Sequence, residues 1–238
     1  MSRALRIEFP GAIYHVMARG VGRMDIFVDD TDRRTFLTLV GGQVASGALV
    51  VHAFCLMPNH THRLCETPFG GLGRCMRDLL GAYARAFNKR HGRVGHLFQD
   101  RYKALLAQDG DYLVACSRYI HLNPDGNERT RPTELYPWSS YHNYSGGPPV
   151  ADWVTTSKVL SYFAGTRDYL NYLEEGRSAK IPDPFAEAFA GLIWGDERFV
   201  REMRALVGAT GHHPPNATAS IHPAPPRNTM RPKRITVP

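Results

Sequence analysis

The run Leu49 to Met57 (LVVHAFCLM) is almost wholly apolar and stops at Pro58-Asn59. Short apolar runs bounded by turn residues are strands, and one that is apolar on both faces belongs in the middle of a sheet. Proline gives no ladder hydrogen bond, and with asparagine it makes a tight turn. The next run, His60 to Glu66 (HTHRLCE), is therefore expected to return antiparallel to the first. This hairpin restricts the chain to folds built around a sheet.

The flanking segments extend the pattern. Ala12 to Arg19 (AIYHVMAR), entered from Pro10-Gly11 and left at Gly20, reads as another strand. Asp29, Asp30 and Thr31 offer caps for a helix that Phe36, Leu37, Val40 and Val44 continue. Gly71 to Arg90 is the clearest helix: Leu72, Met76, Leu79, Leu80, Tyr83 and Phe87 share one face, and Arg74, Arg77, Arg85 and Lys89 the other. Tyr102 to Gln108 (YKALLAQ) reads as a fourth strand. Asp109 and Asp111 can cap a further helix, Tyr112 to Leu122, which ends before Asn123-Pro124. The order β-α-β-β-α-β-α predicts an α+β fold, a ferredoxin-like antiparallel sheet with helices packed on one face.

That unit is expected to occupy residues 1–146, with Gly146-Gly147-Pro148-Pro149 as a linker. Thr155 to Glu175 and Phe185 to Val207, interrupted by Gly165 and Gly191, predict a small C-terminal helical extension over 147–208. From Ala209 to Pro238 there are seven prolines and four basic residues and no acid. Such a composition cannot bury a core, so this tail is expected to be disordered.

Charge points to a partner. The 238 residues carry a formal net charge of +7. A basic chain favours an acidic partner, most often nucleic acid, although a basic surface can also serve solubility alone. Clustering favours the first reading. Between Gly71 and Lys103 lie eight basic residues (Arg74, Arg77, Arg85, Lys89, Arg90, Arg93, Arg101 and Lys103) against two acids, Asp78 and Asp100. Phe98 and Tyr102 are interleaved with them, so phosphates could be held while aromatics stack on unpaired bases. No apolar run is long enough to span a membrane, and Met1 to Pro10 lacks an apolar signal core, so a cytoplasmic protein is expected. Cys55, Cys65, Cys75 and Cys116 form no Cys-x-x-Cys pair; they read as small buried residues in a reducing compartment rather than a zinc ribbon.

Two constellations carry chemistry. On a strand, His60 and His62 point to the same face, and two adjacent imidazoles are half of a metal site. A pair of solvated strand histidines has the same spacing. On a helix, Tyr119 and Asn123 are one turn apart, so a phenol and an amide share a face. An ordinary packed stripe of Tyr112, Cys116, Tyr119 and Asn123 has that spacing too. His121 falls on another helical face and is left out of the site.

Six blocks then occur in order: LRIEFPGAIYHVMAR (Leu5 to Arg19), DIFVDDTD (Asp25 to Asp32), CLMPNHTH (Cys55 to His62), RVGHLFQDRYK (Arg93 to Lys103), RYIHLNP (Arg118 to Pro124) and WSSY (Trp138 to Tyr141). In these the chain resembles the single-tyrosine HUH transposases of the insertion-sequence type, most closely their REP-associated relatives. The resemblance implies the ferredoxin-like fold. It implies Mg²⁺ or Mn²⁺ on His60 and His62, Asn123 as third ligand, and Tyr119 as nucleophile. The implied activity is cleavage and rejoining of single-stranded DNA, hairpin-bearing or palindromic, through a 5′-phosphotyrosine intermediate, by one chain or by a homodimer. The chain departs from the family pattern at Thr61, at Arg63 and at Asp125-Gly126-Asn127 after Pro124. Those departures motivate an alternative, an inactive nucleic-acid-binding module of the same fold. A hydrolytic zinc enzyme is a third reading, and it needs a further His, Asp or Glu ligand.

Overall fold

The structure, a computed structural model, describes residues 7–179 and 183–209. Its elements are β1 (Ala12–Arg19), α1 (Asp30–Ala45), β2 (Val50–Met57), β3 (His60–Thr67), α2 (Leu72–Arg90), β4 (Lys103–Ala107), α3 (Asp111–His121), α4 (Tyr141–Ser145), α5 (Ser157–Leu160), α6 (Thr166–Ser178), α7 (Pro184–Glu187), β5 (Ile193–Trp194) and α8 (Glu197–Ala209). The sheet order is β2-β3-β1-β4-β5. The first four strands are antiparallel and β5 runs parallel to β4. The first six elements thus make the expected split β-α-β unit, with β1 and β3 central.

The hairpin forms where Pro58-Asn59 stops β2, and its turn is used twice. The Pro58 carbonyl accepts from Ile26 N at 2.9 Å and Phe27 N at 3.2 Å, while the Asn59 carbonyl accepts from Gly20 N at 2.9 Å. These bonds draw the end of β1 and the segment leading into α1 against the turn. Asp29 caps α1 by accepting from Asp32 N at 3.2 Å. On α2 the apolar stripe Leu72, Met76, Leu79, Tyr83 and Phe87 is buried, as its helical spacing predicts. Phe27, Phe36 and Tyr83 meet edge to face or tilted within that layer.

The two faces of the sheet are covered differently. Arg63 points toward Phe36 of α1, with its guanidinium 5.3 Å from the ring. Its neighbour His62 points the other way, toward Tyr119 of α3. Alternation along β3 therefore puts α1 and α2 on one face and α3 on the other. Behind α3 lies α6. Gly176 lets them approach closely, since a Cβ there would stand 2.6 Å from Arg118 Cδ.

The region after Gly146 differs in part from expectation. The stretch Thr155 to Glu175 divides into α5 and α6 at Gly165, whereas Phe185 to Val207 is not simply helical. Gly191, at φ 66°, turns the chain, and Ile193-Trp194 pairs with Leu106-Ala107 as β5. The outer edge of β4 offers unpaired backbone groups, and meeting them outweighs local helical preference. Leu106 N donates to Leu192 O at 2.8 Å and Gln108 N to Trp194 O at 2.9 Å. The sheet is therefore mixed rather than purely antiparallel.

The chain after Gly146-Gly147-Pro148-Pro149 folds back onto the sheet. Thr155 N donates to Val51 O at 2.9 Å, and the Trp153 ring lies 5.6 Å from Phe54. One continuous buried cluster includes Phe54 and Leu113 together with Val159, Tyr169, Leu173 and Trp194. Among the described residues no helix is long and apolar enough to cross a membrane. The tail expected to be disordered lies outside the described residues, apart from Ala209 at the end of α8.

Candidate active site

Strand register assembles the site. On the face beneath α3, Arg19 of β1 lies opposite His60 of β3. In the next row on that face, His62, Met17 and Lys103 stand side by side across β3, β1 and β4. His15, two residues before Met17, shares the face. Tyr119 and Asn123 descend onto these rows from α3 and the turn that follows it.

The two histidine rings have centroids 4.9 Å apart and stand nearly perpendicular, at 87°. Each is held at Nδ1. His60 Nδ1 lies 2.6 Å from Asn59 Oδ1, and His62 Nδ1 lies 2.8 Å from His15 Nε2. That leaves Nε2 of each ring as the nitrogen that could hold a cation, the arrangement in which a partner at one nitrogen fixes the orientation of the other. The Tyr119 ring is 5.6 Å from His62 and 5.7 Å from His15. Asn123 lines the same cleft, and its amide bears on the protonation of both His60 and Tyr119. Four residues distant in sequence thus meet within one chain.

Burial sets their protonation. His60 is pushed down to about 4, first by burial and then by the charge of Arg19, while its bond to Asn123 pulls upward. His62 falls well below the ordinary histidine value, through burial and then the His15, His60, Arg19 and Arg63 charges. Both rings are therefore neutral at pH 7, with lone pairs free for a cation. Tyr119 is pushed up to about 12, mainly by burial and then by the Asp183 carboxylate; the bond to Asn123 and the charge of Arg19 oppose the rise. Among the described residues no three His, Cys, Asp or Glu side chains cluster as metal ligands. The Asn123 amide, which lines the same cleft, is the side chain that could add a third ligand. Two imidazoles and an amide oxygen fit Mn²⁺ or Mg²⁺ and lack the third ligand usual for catalytic zinc.

The site opens into a cleft of about 1040 Å³, lined by His60, His62, Tyr119 and Asn123 together with Arg19 and Lys103. The segments after α3 and α6 wall it, bringing in Asp125, Glu128, Asp183 and Phe185. Phe185 of α7 also packs on His15, with centroids 4.7 Å apart. Of the eight basic residues singled out by clustering, Lys103 alone lines the cleft. Arg74, Arg77, Arg85 and Lys89 lie on the exposed side of α2, across the sheet from the histidines. Arg74 and Arg77 share Asp78. Arg90 is not free for phosphate: it is clamped by Asp29 and by buried Asp32, at 2.6 Å. Arg93 stacks over Phe87 at 5.9 Å, and Arg101 is exposed on the loop before β4.

Sequence reasoning missed His15, Arg19, Asp183 and Phe185. The first two left a trace, being polar residues at even spacing on a largely apolar strand, which puts them on one face. His121, set aside from the site, is a buried structural residue: Nδ1 meets the Tyr169 hydroxyl at 2.6 Å and Nε2 the Ser140 hydroxyl at 2.8 Å.

With this geometry in place, comparison with known proteins is informative. Residues 9–123 match the family model described as "Transposase IS200 like", a span that runs from before β1 to Asn123. The chain carries an IS200-like transposase domain. That match makes the domain, at a coarse level, one of a DNA-processing family that carries out transposition. The IS200-like domain is also similar to a solved REP-associated tyrosine transposase bound to a REP hairpin, with a TM-score of 0.51 and 18% identity over 69% of this chain and 97% of that one. At that identity the likeness is one of fold. A protein described as a transposase from Deinococcus radiodurans R1 is similar over 46% of this chain and 86% of its own, at 20% identity and a TM-score of 0.35, too low to carry an argument. No curated protein matches the chain.

Proposed function

We propose that this chain cuts and rejoins single-stranded, hairpin-bearing DNA through a covalent 5′-phosphotyrosine on Tyr119, with Mg²⁺ or Mn²⁺ held by His60, His62 and Asn123. The observation that carries the reading is the meeting of Tyr119 with the paired imidazoles, with Asn123 lining the same cleft, within a single chain. No second copy is needed to complete this group. The transposase family of the domain and the hairpin bound by its structural neighbour support the substrate class.

A divalent cation on that ligand set would polarise a scissile phosphate and offset the charge growing on its oxygens. Imidazole is softer than Mg²⁺ prefers, so Mn²⁺ is expected to serve at least as well. The residues account for the rest. Tyr119 Oη attacks phosphorus, the P–O3′ bond breaks, and the released 3′-oxygen takes up a proton. A phosphodiester is kept in the tyrosine link, so another 3′-hydroxyl can reverse the step and join new ends. With its pKa at about 12, Tyr119 is almost wholly protonated at pH 7. Its proton must leave as attack proceeds, and Asn123 and Arg19 favour the developing phenolate.

The test is a labelled single-stranded hairpin incubated with the protein and Mn²⁺, then run on a denaturing gel. A protein-linked band is expected, and Tyr119→Phe should abolish it while hairpin binding persists. An adduct formed equally by Tyr119→Phe would remove Tyr119 from the role. The burial that raises Tyr119 also favours a second reading, binding without chemistry, which predicts retention of the hairpin and no adduct with either protein.

A further inference from the structure

Arg19 stands apart from the other arginines that reach into ion pairs. Arg33, Arg90, Arg129 and Arg177 each face a carboxylate. Arg19 makes no salt bridge among the described residues, and its Nε is buried with no hydrogen-bond partner. It lines the cleft, and its charge is felt at His60, His62 and Tyr119 together. Its backbone is held from both sides. Gln99 N donates to Arg19 O at 2.9 Å, and the next residue, Gly20, donates to Asn59 O at 2.9 Å. A cation fixed on a central strand, partly desolvated and without a counter-charge, is costly unless an anion completes it.

We infer that Arg19 is a catalytic residue of this site that binds a non-bridging oxygen of the phosphodiester at the point of cleavage. The inference rests on the strand-transfer reading above and adds to it the residue that grips the reacting phosphate. Three observations converge. Arg19 is in register with His60, its charge reaches Tyr119 as well, and its buried Nε lacks a partner. A guanidinium presents paired N–H donors that match two phosphate oxygens, which an ammonium cannot reproduce. Charge on those oxygens grows as the phenol approaches, so a donor already in place stabilises the transition state more than the ground state. The basic face of α2, across the sheet, would hold flanking phosphates without touching the reacting one.

The experiment uses hairpin-bearing oligonucleotides in which one linkage at a time is made an uncharged methylphosphonate. Their affinities are measured for Tyr119→Phe and for Tyr119→Phe with Arg19→Met, so that chemistry does not intrude. Neutralising one linkage is expected to weaken binding about ten- to a hundredfold with Arg19 present, and to have little effect once Arg19 is methionine. Arg19→Lys should keep part of that linkage dependence, and matched melting temperatures would show that the variants fold. If every linkage has the same effect with and without Arg19, the inference is overturned; so too if the oligonucleotides do not bind at all. With Tyr119 intact, Arg19→Met should slow adduct formation about a hundred- to a thousandfold. Wild-type protein that forms no adduct but shows the linkage dependence would overturn the strand-transfer reading and leave the Arg19 contact standing. Adduct formed by Arg19→Met at the wild-type rate would overturn the contact and leave that reading intact.

Discussion

The two faces of β3 make an instructive pair, because alternate residues of one strand meet opposite conditions. Toward the cleft, His60 and His62 are buried polar groups with partners: Asn59 for one, His15 for the other. Toward the helices, Thr61 Oγ1 and all three Arg63 nitrogens are buried without hydrogen-bond partners. The Arg63 guanidinium has the Phe36 ring, and burial lowers its pKa to about 10. On the first face, partners hold the polar groups in a fixed orientation at the cleft. On the other, the charge of Arg63 is buried away from the cleft, where no anion can reach it, and it lowers stability. Burial of a polar side chain therefore says little about function until its partners are counted.

Acid should expose the contrast most strongly. His15 and His121 have pKa values lowered by burial to about 3, and His60 to about 4, all below the usual 6.5. The unfolded chain takes up these protons first, so the stability they hold is complete above pH 6.5 and is lost as pH falls toward the folded values. Each is expected to remove roughly 3 kcal/mol by pH 4, enough together to unfold a typical domain. Urea titrations at pH 7, 5.5 and 4.5 should show the decline; a flat profile would contradict neutral burial of these rings.

Next in size, His62→Ala should cut adduct formation by about a thousandfold or more while hairpin binding without metal changes little. A variant retaining the wild-type rate would strip the cleft face of its assigned chemistry. On the reverse face, Arg63→Met should raise stability by about 1–4 kcal/mol and leave adduct formation unchanged. A loss of stability there would mean that the guanidinium has a partner after all, and the contrast between the faces would fail. The smallest effect belongs to His15→Leu, which removes the hydrogen bond to His62. Calorimetric titration should show Mn²⁺ bound about ten- to a hundredfold more weakly, with metal-free hairpin affinity unmoved.

Much of this was legible in the sequence because it depends on short-range periodicity. The apolar run before Pro58, the period-two pair His60 and His62, and the α2 stripe from Leu72 to Phe87 each announce one face of one element. What stayed hidden depends on pairing between distant segments. His15 gains meaning only from its bond to His62, and Arg19 only from its register with His60. Ile193-Trp194 is too short to read as a strand and becomes one against the edge of β4. Arg90 looked like its basic neighbours, and only the return of Asp29 and Asp32 through the fold shows that it is occupied. Phe185 reaches His15 from 170 residues away, a contact no local pattern announces.

The sheet margins carry one more consequence. The outer side of β2 is met by Leu56 N donating to Trp138 O, Ser140 N to Phe54 O and Thr155 N to Val51 O, and the outer side of β4 is met by β5 at Leu106-Ala107. A foreign strand would have to displace native chain before it could add at these places. Any assembly of two copies should therefore run through helices and loops, and the sheet itself is poorly suited to seed fibrous stacking.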